Sequence, residues 1–374
     1  MNPVQRFDTV IVGGGQAGLS TAYELVQRGV SCLVLEAEPR IGNQWRRRWD
    51  SLRLFTPARY DRLPGSRFPA SDMTFPTKDE LADYLESYAA AANVPVRTGV
   101  KAISLSHADG GYRLDTSAGP LEADHVVIAT GYDIPKLPAF AKNVSSAVRQ
   151  LHAFDYHNPD QLTGNVLVVG AGTSGVEIAI ESALAKHPTT LAGRGTGAIP
   201  PVAYAFGGRI FSFYGNHIAS LGNPIGRAMR RQVVSRGAPL IRVKMADAIA
   251  AGVARKPRVV AVEHGVPVLA DGTQMRPDTI VWCTGFGHDY RWIQLPIVVE
   301  NGLPLQRRGI VESEPGLYFV GLLFQSRLGS GILLGVGLDA RLVAETIAGR
   351  LRKSRALGHS QPRAETQGEQ VMAG

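Results

Sequence analysis

Cysteine is nearly absent: the 374 residues contain two, Cys32 and Cys283, far apart in the chain. Such a pair excludes a disulfide framework, a CxxC redox couple and a cysteine-rich zinc site. The nine histidines show no metal spacing such as H-E-x-x-H, so no metal is expected. Neither Ser174 nor Ser330 is the centre of a G-x-S-x-G turn after a strand, which disfavours hydrolase chemistry. Long apolar runs are also missing. The longest, Leu317 to Leu338, is interrupted by Gln325, Ser326 and Arg327, short of the ~20 residues a spanning helix needs. No secretory signal is visible, because Asp8 is followed at once by an apolar strand that runs to Val12. A cytoplasmic protein without a membrane span is the expectation. Lysine is scarce as well, supplying 8 of the 40 basic residues behind a net charge of +8. The 32 arginines are scattered, and their densest stretch, Arg227 to Arg258, alternates with apolar residues as solvated faces do. The charge is therefore not read as a nucleic-acid footprint.

Glycine, in contrast, is abundant, at 42 residues without a G-X-Y period. An average chain has roughly 7 per cent, so the excess asks for a local explanation. It lies partly in a rough internal repeat. An apolar run (Phe7 to Val12), a glycine turn (Gly13 to Gly18), a helical run to about Arg28 and a second apolar run (Ser31 to Glu36) recur in the same order. The second copy has Asn165 to Val169, Gly170 to Gly175, a helix to about Lys186 and Thr189 to Ala192. Each copy reads as a βαβ unit and implies a parallel sheet. Between them, Thr77 with Glu80 forms a capping box before the helical spacing of Leu81, Tyr84, Leu85, Tyr88 and Ala92. The stretch Gly195 to Arg227 has no clear period and is expected as a long loop or lid. Its aromatics Tyr204, Phe206, Phe211, Phe213 and Tyr214 are expected to pack rather than to line a substrate entrance.

The first turn, Gly13-Gly14-Gly15-Gln16-Ala17-Gly18, fits G-x-G-x-x-G, which lets a pyrophosphate approach the backbone at a helix N-terminus. Glu36 follows 23 residues beyond Gly13, where a carboxylate can bind both ribose hydroxyls of an adenosine. FAD or NAD is favoured there. The second turn, Gly170-Ala171-Gly172-Thr173-Ser174-Gly175, fits the same pattern. At the matching place, 24 residues beyond Gly170, stands Arg194, which can pair with a 2′-phosphate and favours NADP. A flavin reduced by NADPH is the leading reading.

With these turns the sequence resembles the class B flavin-dependent monooxygenases, including bacterial flavin monooxygenases and the plant YUCCA type, over residues 5 to 350. Further resemblance lies in Gly42-Asn43-Gln44-Trp45 with Leu54-Phe55-Thr56-Pro57, and in Ala129-Thr130-Gly131-Tyr132 and Cys283-Thr284-Gly285-Phe286. Gly316 to Gly321, and Gly335 to Ala340 opening the last helix, complete it. The family's linker motif F-x-G-x-x-x-H-x-x-x-Y/W is incomplete: Ser146 and Val148 replace phenylalanine and glycine, while His152 and Tyr156 match.

The resemblance implies an α/β fold of two doubly wound, Rossmann-like dinucleotide-binding domains, the NADP domain inserted into the FAD domain. The expected bounds are 1–155 and 286–350 for FAD, 156–285 for NADP and 351–374 for a flexible tail. It implies FAD contacts from Gly13, Gly15, Gln16, Ala17, Gly18, Glu36, Gly42, Gln44, Trp45, Leu54, Thr56, Val100, Thr130, Gly131, Gly321 and Asp339. It implies NADP contacts from Gly170, Gly172, Thr173, Ser174, Gly175, Arg194, Thr284 and Gly285. Thr56, His152, Tyr156 and Gln325 are candidate catalytic residues. The implied activity is an NADPH-dependent monooxygenase that forms a C4a-hydroperoxyflavin and oxygenates a small amine or thioether with O2. A flavin oxidoreductase without oxygen transfer and a redox-sensing flavin-binding protein are the alternatives. Substrate and oligomeric state stay open.

Overall fold

A computed structural model describes residues 4–132, 134–199 and 209–359. The chain opens with β1 (Gln5–Val12), α1 (Gln16–Val26) and β2 (Cys32–Leu35). The short α2 (Asn43–Arg46), then α3 (Lys78–Ala91), β3 (Val96–Arg97), β4 (Ala102–Ala108), β5 (Gly111–Thr116) and β6 (Gly119–Ile128) follow. The capping box of α3 is formed: Glu80 N–H donates to Thr77 Oγ1 at 3.1 Å and Thr77 N–H to Glu80 Oε2 at 2.7 Å. A crossing strand, β7 (Ile134–Pro135), leads into β8 (Arg149–His152), β9 (Val166–Val169), α4 (Thr173–Leu184) and β10 (Thr189–Ala192). Then come α5 (Arg209–Phe213), α6 (Pro224–Arg236), α7 (Met245–Ala250), β11 (Ala254–Lys256), β12 (Val259–Glu263), β13 (Val266–Leu269) and β14 (Thr279–Trp282). The last elements are β15 (Phe286–Gly287), β16 (Val299–Glu300), β17 (Leu303–Pro304), β18 (Leu317–Phe319) and α8 (Leu333–His359).

Two sheets result. The first has the order β3-β2-β1-β6-β5-β4, with β18 also pairing β6. Its β1, β2, β3, β6 and β18 pairings are parallel, and the β4-β5-β6 meander is antiparallel. The second sheet, β11-β10-β9-β14-β8, is parallel throughout. Because β8 pairs β14, this sheet takes in residues upstream of position 156. Strands covered on both faces must be apolar along their whole length, and β2, β9 and β14 are buried at every residue. One core packs α1, α3 and α8 on the first sheet, and another fills its meander side. Two further cores cover the second sheet. Two doubly wound α/β units thus share one chain, the second entered and left from within the first.

Two segments differ from expectation. The stretch 195–227 is not simply a loop, since it holds α5, a π-helical turn at Tyr214–Ile218 and the start of α6. Asn223 caps α6 by accepting from Gly226 N–H at 2.8 Å, and Met229 and Val233 pack with Phe324. These elements are short and their glycines break any period. Tyr204 and Phe206 lie outside the described residues. At the other end α8 continues through His359, beyond the expected start of the tail at 351. Buried Leu351, and Arg355 on Asp8 at 2.9 Å, hold that extension in place.

Candidate functional site: two dinucleotide cradles

The two glycine turns have the same geometry. Gly13 and Gly170 both have φ +113, and their N–H groups donate at 2.8 Å to Leu35 O and Ala192 O. A Cβ on Gly13 would stand 2.4 Å from Ala129 O, and one on Gly170 2.2 Å from Cys283 O. Both positions therefore need glycine for conformation and for space. The third glycines, Gly18 and Gly175, let the helix approach the turn, since a Cβ there would fall 1.9 and 1.8 Å from Gly13 O and Gly170 O. The middle glycines differ in kind. Gly15 and Gly172 cap α1 and α4 with no side-chain hydrogen bond, and a Cβ on either would meet nothing within 4 Å. Each helix thus presents uncapped N–H groups to open space, as a pyrophosphate requires. Gln16 and Ala17, and Thr173 and Ser174, form the first turns behind them.

The strand ends distinguish the two. Glu36 follows β2, half-buried, with Oε2 accepting from Gly14 N–H and Oε1 from Glu38 N–H, both at 2.8 Å. Burial raises its carboxyl above the ordinary range, against those backbone bonds. In the second unit the register places Gly193, not Arg194, directly after β10, as Glu36 follows β2. The matching place assigned to Arg194 is therefore one residue off. Arg194 is exposed on the next position of the turn. Val100 N–H bonds Glu36 O at 2.9 Å, on the strand end beside the acid.

The Gly42 to Thr56 segment spans both units. Gly42 caps α2 at φ +83 against Ala82, Trp45 packs on both neighbouring cores, and Trp49 and Leu52 belong to the second unit's core. Gln44 is half-buried beside Trp45. Leu54 is buried with Leu333 and Val336 of α8, and Thr56 is buried nearby. Thr56 Oγ1 donates to Asp61 Oδ1 at 2.5 Å, and the buried Asp61 Oδ2 has no partner. Burial pushes Asp61 up to about 7. Asp61 carries no motif and was not found from sequence.

Thr130 and Gly131 lie beside the first turn, whose Gly13 faces Ala129 O. Gly321 has φ +91, and a Cβ on it would stand 2.8 Å from Ala17 Cβ. Asp339 on α8 is fully buried; Ser326 Oγ donates to its Oδ1, and Oδ2 is unpartnered. The crossings between the units form a ladder, β7 with β15. There Thr284 Oγ1 donates to Lys136 O, and Lys136 N–H to Gly285 O at 3.0 Å. Asn216, also unmarked in the sequence, fits a notch between Gly329 and Gly335, with Nδ2 on Leu334 O at 3.2 Å.

The other catalytic candidates are placed inside. Tyr156 is fully buried in the second unit's core, its hydroxyl donating to Glu181 Oε2 at 2.9 Å. His152 ends β8, accepts from Phe154 N–H at 3.1 Å and meets Phe286 edge-on; burial lowers its pKa. Gln325 is buried, with Oε1 accepting from Leu322 N–H at 3.3 Å. Among the described residues no cluster could hold a metal, and no helix is long and apolar enough to cross a membrane. Both thiols are free and pushed up to about 12 by burial, Cys32 in the first unit and Cys283 behind the second turn. They offer no redox couple.

Two open cradles, one with Glu36 at its strand end and one with a bare Gly193 followed by Arg194, joined through a crossing ladder, define a two-nucleotide flavoprotein oxidoreductase. The comparisons agree: residues 10–202 match the pyridine nucleotide-disulphide oxidoreductase family, and the chain belongs to it. It is 37% identical to the uncharacterized oxidoreductase CzcO-like of Geobacillus kaustophilus, over 91% of this chain and 98% of that one. It is 39% identical to rice indole-3-pyruvate monooxygenase YUCCA1 over 48% of this chain and 45% of the relative. Among solved structures, a flavin-containing monooxygenase from Stenotrophomonas maltophilia superposes with TM-score 0.77 at 26% identity, covering 93% of this chain and 100% of its own. The chain is thus an oxidoreductase similar to flavin monooxygenases, and FAD and NADPH are the cofactors for which its cradles are shaped.

Proposed function

We propose that the first unit holds FAD and the second NADPH, and that together they oxygenate a small soft nucleophile, an amine or thioether, with O2. The observation that carries this is the pairing of two cradles of equal geometry with unlike strand ends, Glu36 against the Gly193-Arg194 turn. Bound FAD would supply the electron and oxygen chemistry, and the chain supplies position and environment.

For FAD, the N–H groups around Gly13, Gly15, Gln16, Ala17 and Gly18 bind the pyrophosphate, and Glu36 the ribose hydroxyls. Val100, Thr130 and Gly131 close that end. Gly42, Gln44, Trp45, Leu54 and Thr56 would hold the ring, together with Gly321 after β18 and Asp339 of α8. For NADPH, Gly170, Gly172, Thr173, Ser174 and Gly175 bind the pyrophosphate, Arg194 the 2′-phosphate, and Thr284 and Gly285 the crossing. Apolar Ile41, Leu54, Leu333 and Val336 share one buried core beside the residues named for FAD and would keep water from that side. Asp61, its carboxyl pushed up to about 7 by burial, accepts from the Thr56 hydroxyl and keeps it oriented.

Anaerobic addition of NADPH tests the pairing, with bleaching of the flavin absorbance expected. Under air, NADPH consumed is compared with hydrogen peroxide released while amines and sulfides are supplied. Less peroxide than NADPH, with oxygenated product making up the difference, is expected. Full conversion to peroxide with every substrate would point to an oxidase. Unbleached flavin would point to a flavin-binding sensor.

A further inference from the structure

The second cradle contains a cation that no motif marks. Arg255 lies on β11, the edge strand beside β10, in register with Leu191. Its guanidinium donates from Nη1 to Leu191 O at 3.0 Å and from Nη2 to Gly193 O at 2.9 Å. Both carbonyls belong to the strand end and turn where the cofactor's adenosine would lie. A guanidinium has five N–H donors, so three remain beyond these two bonds. Arg255 is half-buried, and among the described residues no carboxylate lies within ion-pair distance of it. Arg242 in the same unit is different, because Glu177 holds it at 2.8 Å. A half-buried guanidinium bonded only to neutral carbonyls carries an uncompensated charge, and burial lowers its pKa accordingly. An anion at this edge would supply the missing compensation.

The position is specific. Gly193, which Arg255 holds by its carbonyl, follows β10 as Glu36 follows β2. In the first unit that place offers a carboxylate to ribose hydroxyls. In the second it offers no side chain, with one arginine next in sequence and another clipped to its backbone. We propose that Arg255 is a specificity-determining residue that reads the 2′-phosphate of the adenosine ribose together with Arg194, holding the Gly193-Arg194 turn in place while doing so. This rests on the reading of the second cradle as the NADPH site.

Calorimetric titration of the FAD-loaded protein with NADP⁺ and NAD⁺ tests it, with flavin content and melting temperature as controls. The wild type is expected to bind NADP⁺ more tightly. Arg255→Met should weaken NADP⁺ by about ten- to a hundredfold, as loss of charge-assisted bonds does, and leave NAD⁺ within about twofold. Arg255→Lys, which keeps the charge, should retain an intermediate preference and guards against a folding failure of the methionine variant. Equal weakening of both nucleotides would reduce Arg255 to a structural clip, and an unchanged preference in both variants would also overturn the proposal. A wild type that does not discriminate would overturn the NADPH reading itself, a different result from either.

Discussion

Ala171 and Gly193 exchange the roles that Gly14 and Glu36 play in the first unit. Gly14 lacks a side chain where Glu36 arrives, and a Cβ there would stand 2.8 Å from Glu36 Oε2. In the second unit the turn residue carries a methyl group, and the strand-end residue is bare. A Cβ on Gly193 would fall 2.8 Å from Ala171 N and 3.2 Å from Ala171 Cβ. Steric fit thus keeps the second strand end bare, since both the backbone and the methyl group of Ala171 stand where a side chain on Gly193 would begin. One βαβ plan accommodates two cofactors through this exchange.

This fit predicts that the strand end must stay bare. Gly193→Glu should weaken both nucleotides, because its Cβ would fall 2.8 Å from Ala171 N at a backbone φ of +157. Adding Ala171→Gly removes only the 3.2 Å contact with the methyl group and leaves the backbone one, so the double variant should regain little of the lost kcat/KM with either nucleotide. Steady-state kinetics with each nucleotide checks this. Recovery in the double variant would show that the methyl group, not the backbone, is the obstacle.

Much of this frame was legible in the sequence because its signals are local. Each βαβ unit announces itself within some 30 residues, and the fully apolar β9 and Thr189–Ala192 read directly as buried strands. The partner of Glu36 was misplaced by one position, since counting residues does not reveal where a helix ends and a strand enters the sheet. Asp61 and Arg255 were invisible for a different reason. What marks them is burial without a counter-charge, a property of tertiary packing that has no spacing. The stretch Gly195 to Arg227 has no clear period because its glycines interrupt it, although Asn223 within it is a regular cap for α6.

The glycines of one turn should separate by function. Gly15→Ala has ordinary backbone angles and open space around its new methyl. The apo-protein should keep its stability within about 1 kcal/mol, while the affinity for FAD falls because the methyl occupies the pyrophosphate's approach. Gly18→Ala, whose Cβ would collide with Gly13 O, should destabilise the first unit whether or not FAD is present. Thermal melts with and without added FAD distinguish the two. A Gly15→Ala variant with undiminished FAD affinity would show that the cofactor does not approach there.

Tyr156 tests the division between packing and chemistry. Its hydroxyl is spent on Glu181 in the second unit's core. Tyr156→Phe should lower stability by about 1.5–3 kcal/mol, the worth of a hydrogen bond to a charged group, with kcat within about twofold of the wild type. A melting curve and a saturation curve suffice. A tenfold fall in kcat at unchanged stability would return Tyr156 to the catalytic candidates.

Asp61 gives a prediction in pH. Its folded pKa is about 7 against an ordinary 3.8, so between those values the folded protein holds a proton that the unfolded chain has released. Its contribution is therefore most favourable below about pH 4, is lost progressively as pH rises towards 7, and is constant above. Each pKa unit corresponds to about 1.4 kcal/mol, so a rise from 3.8 to about 7 makes the loss attributable to this carboxyl roughly 4 kcal/mol. Asp61→Asn imitates the protonated acid and still accepts from Thr56. Its stability relative to wild type should rise by that amount between pH 4 and pH 8, read from urea unfolding at each pH. The same variant should flatten any pH dependence near 7 in the reaction of the bound flavin, because the titrating group beside Thr56 is gone. A parallel pair of stability curves would mean that Asp61 titrates in the ordinary carboxylate range and that its proton is not held in the fold.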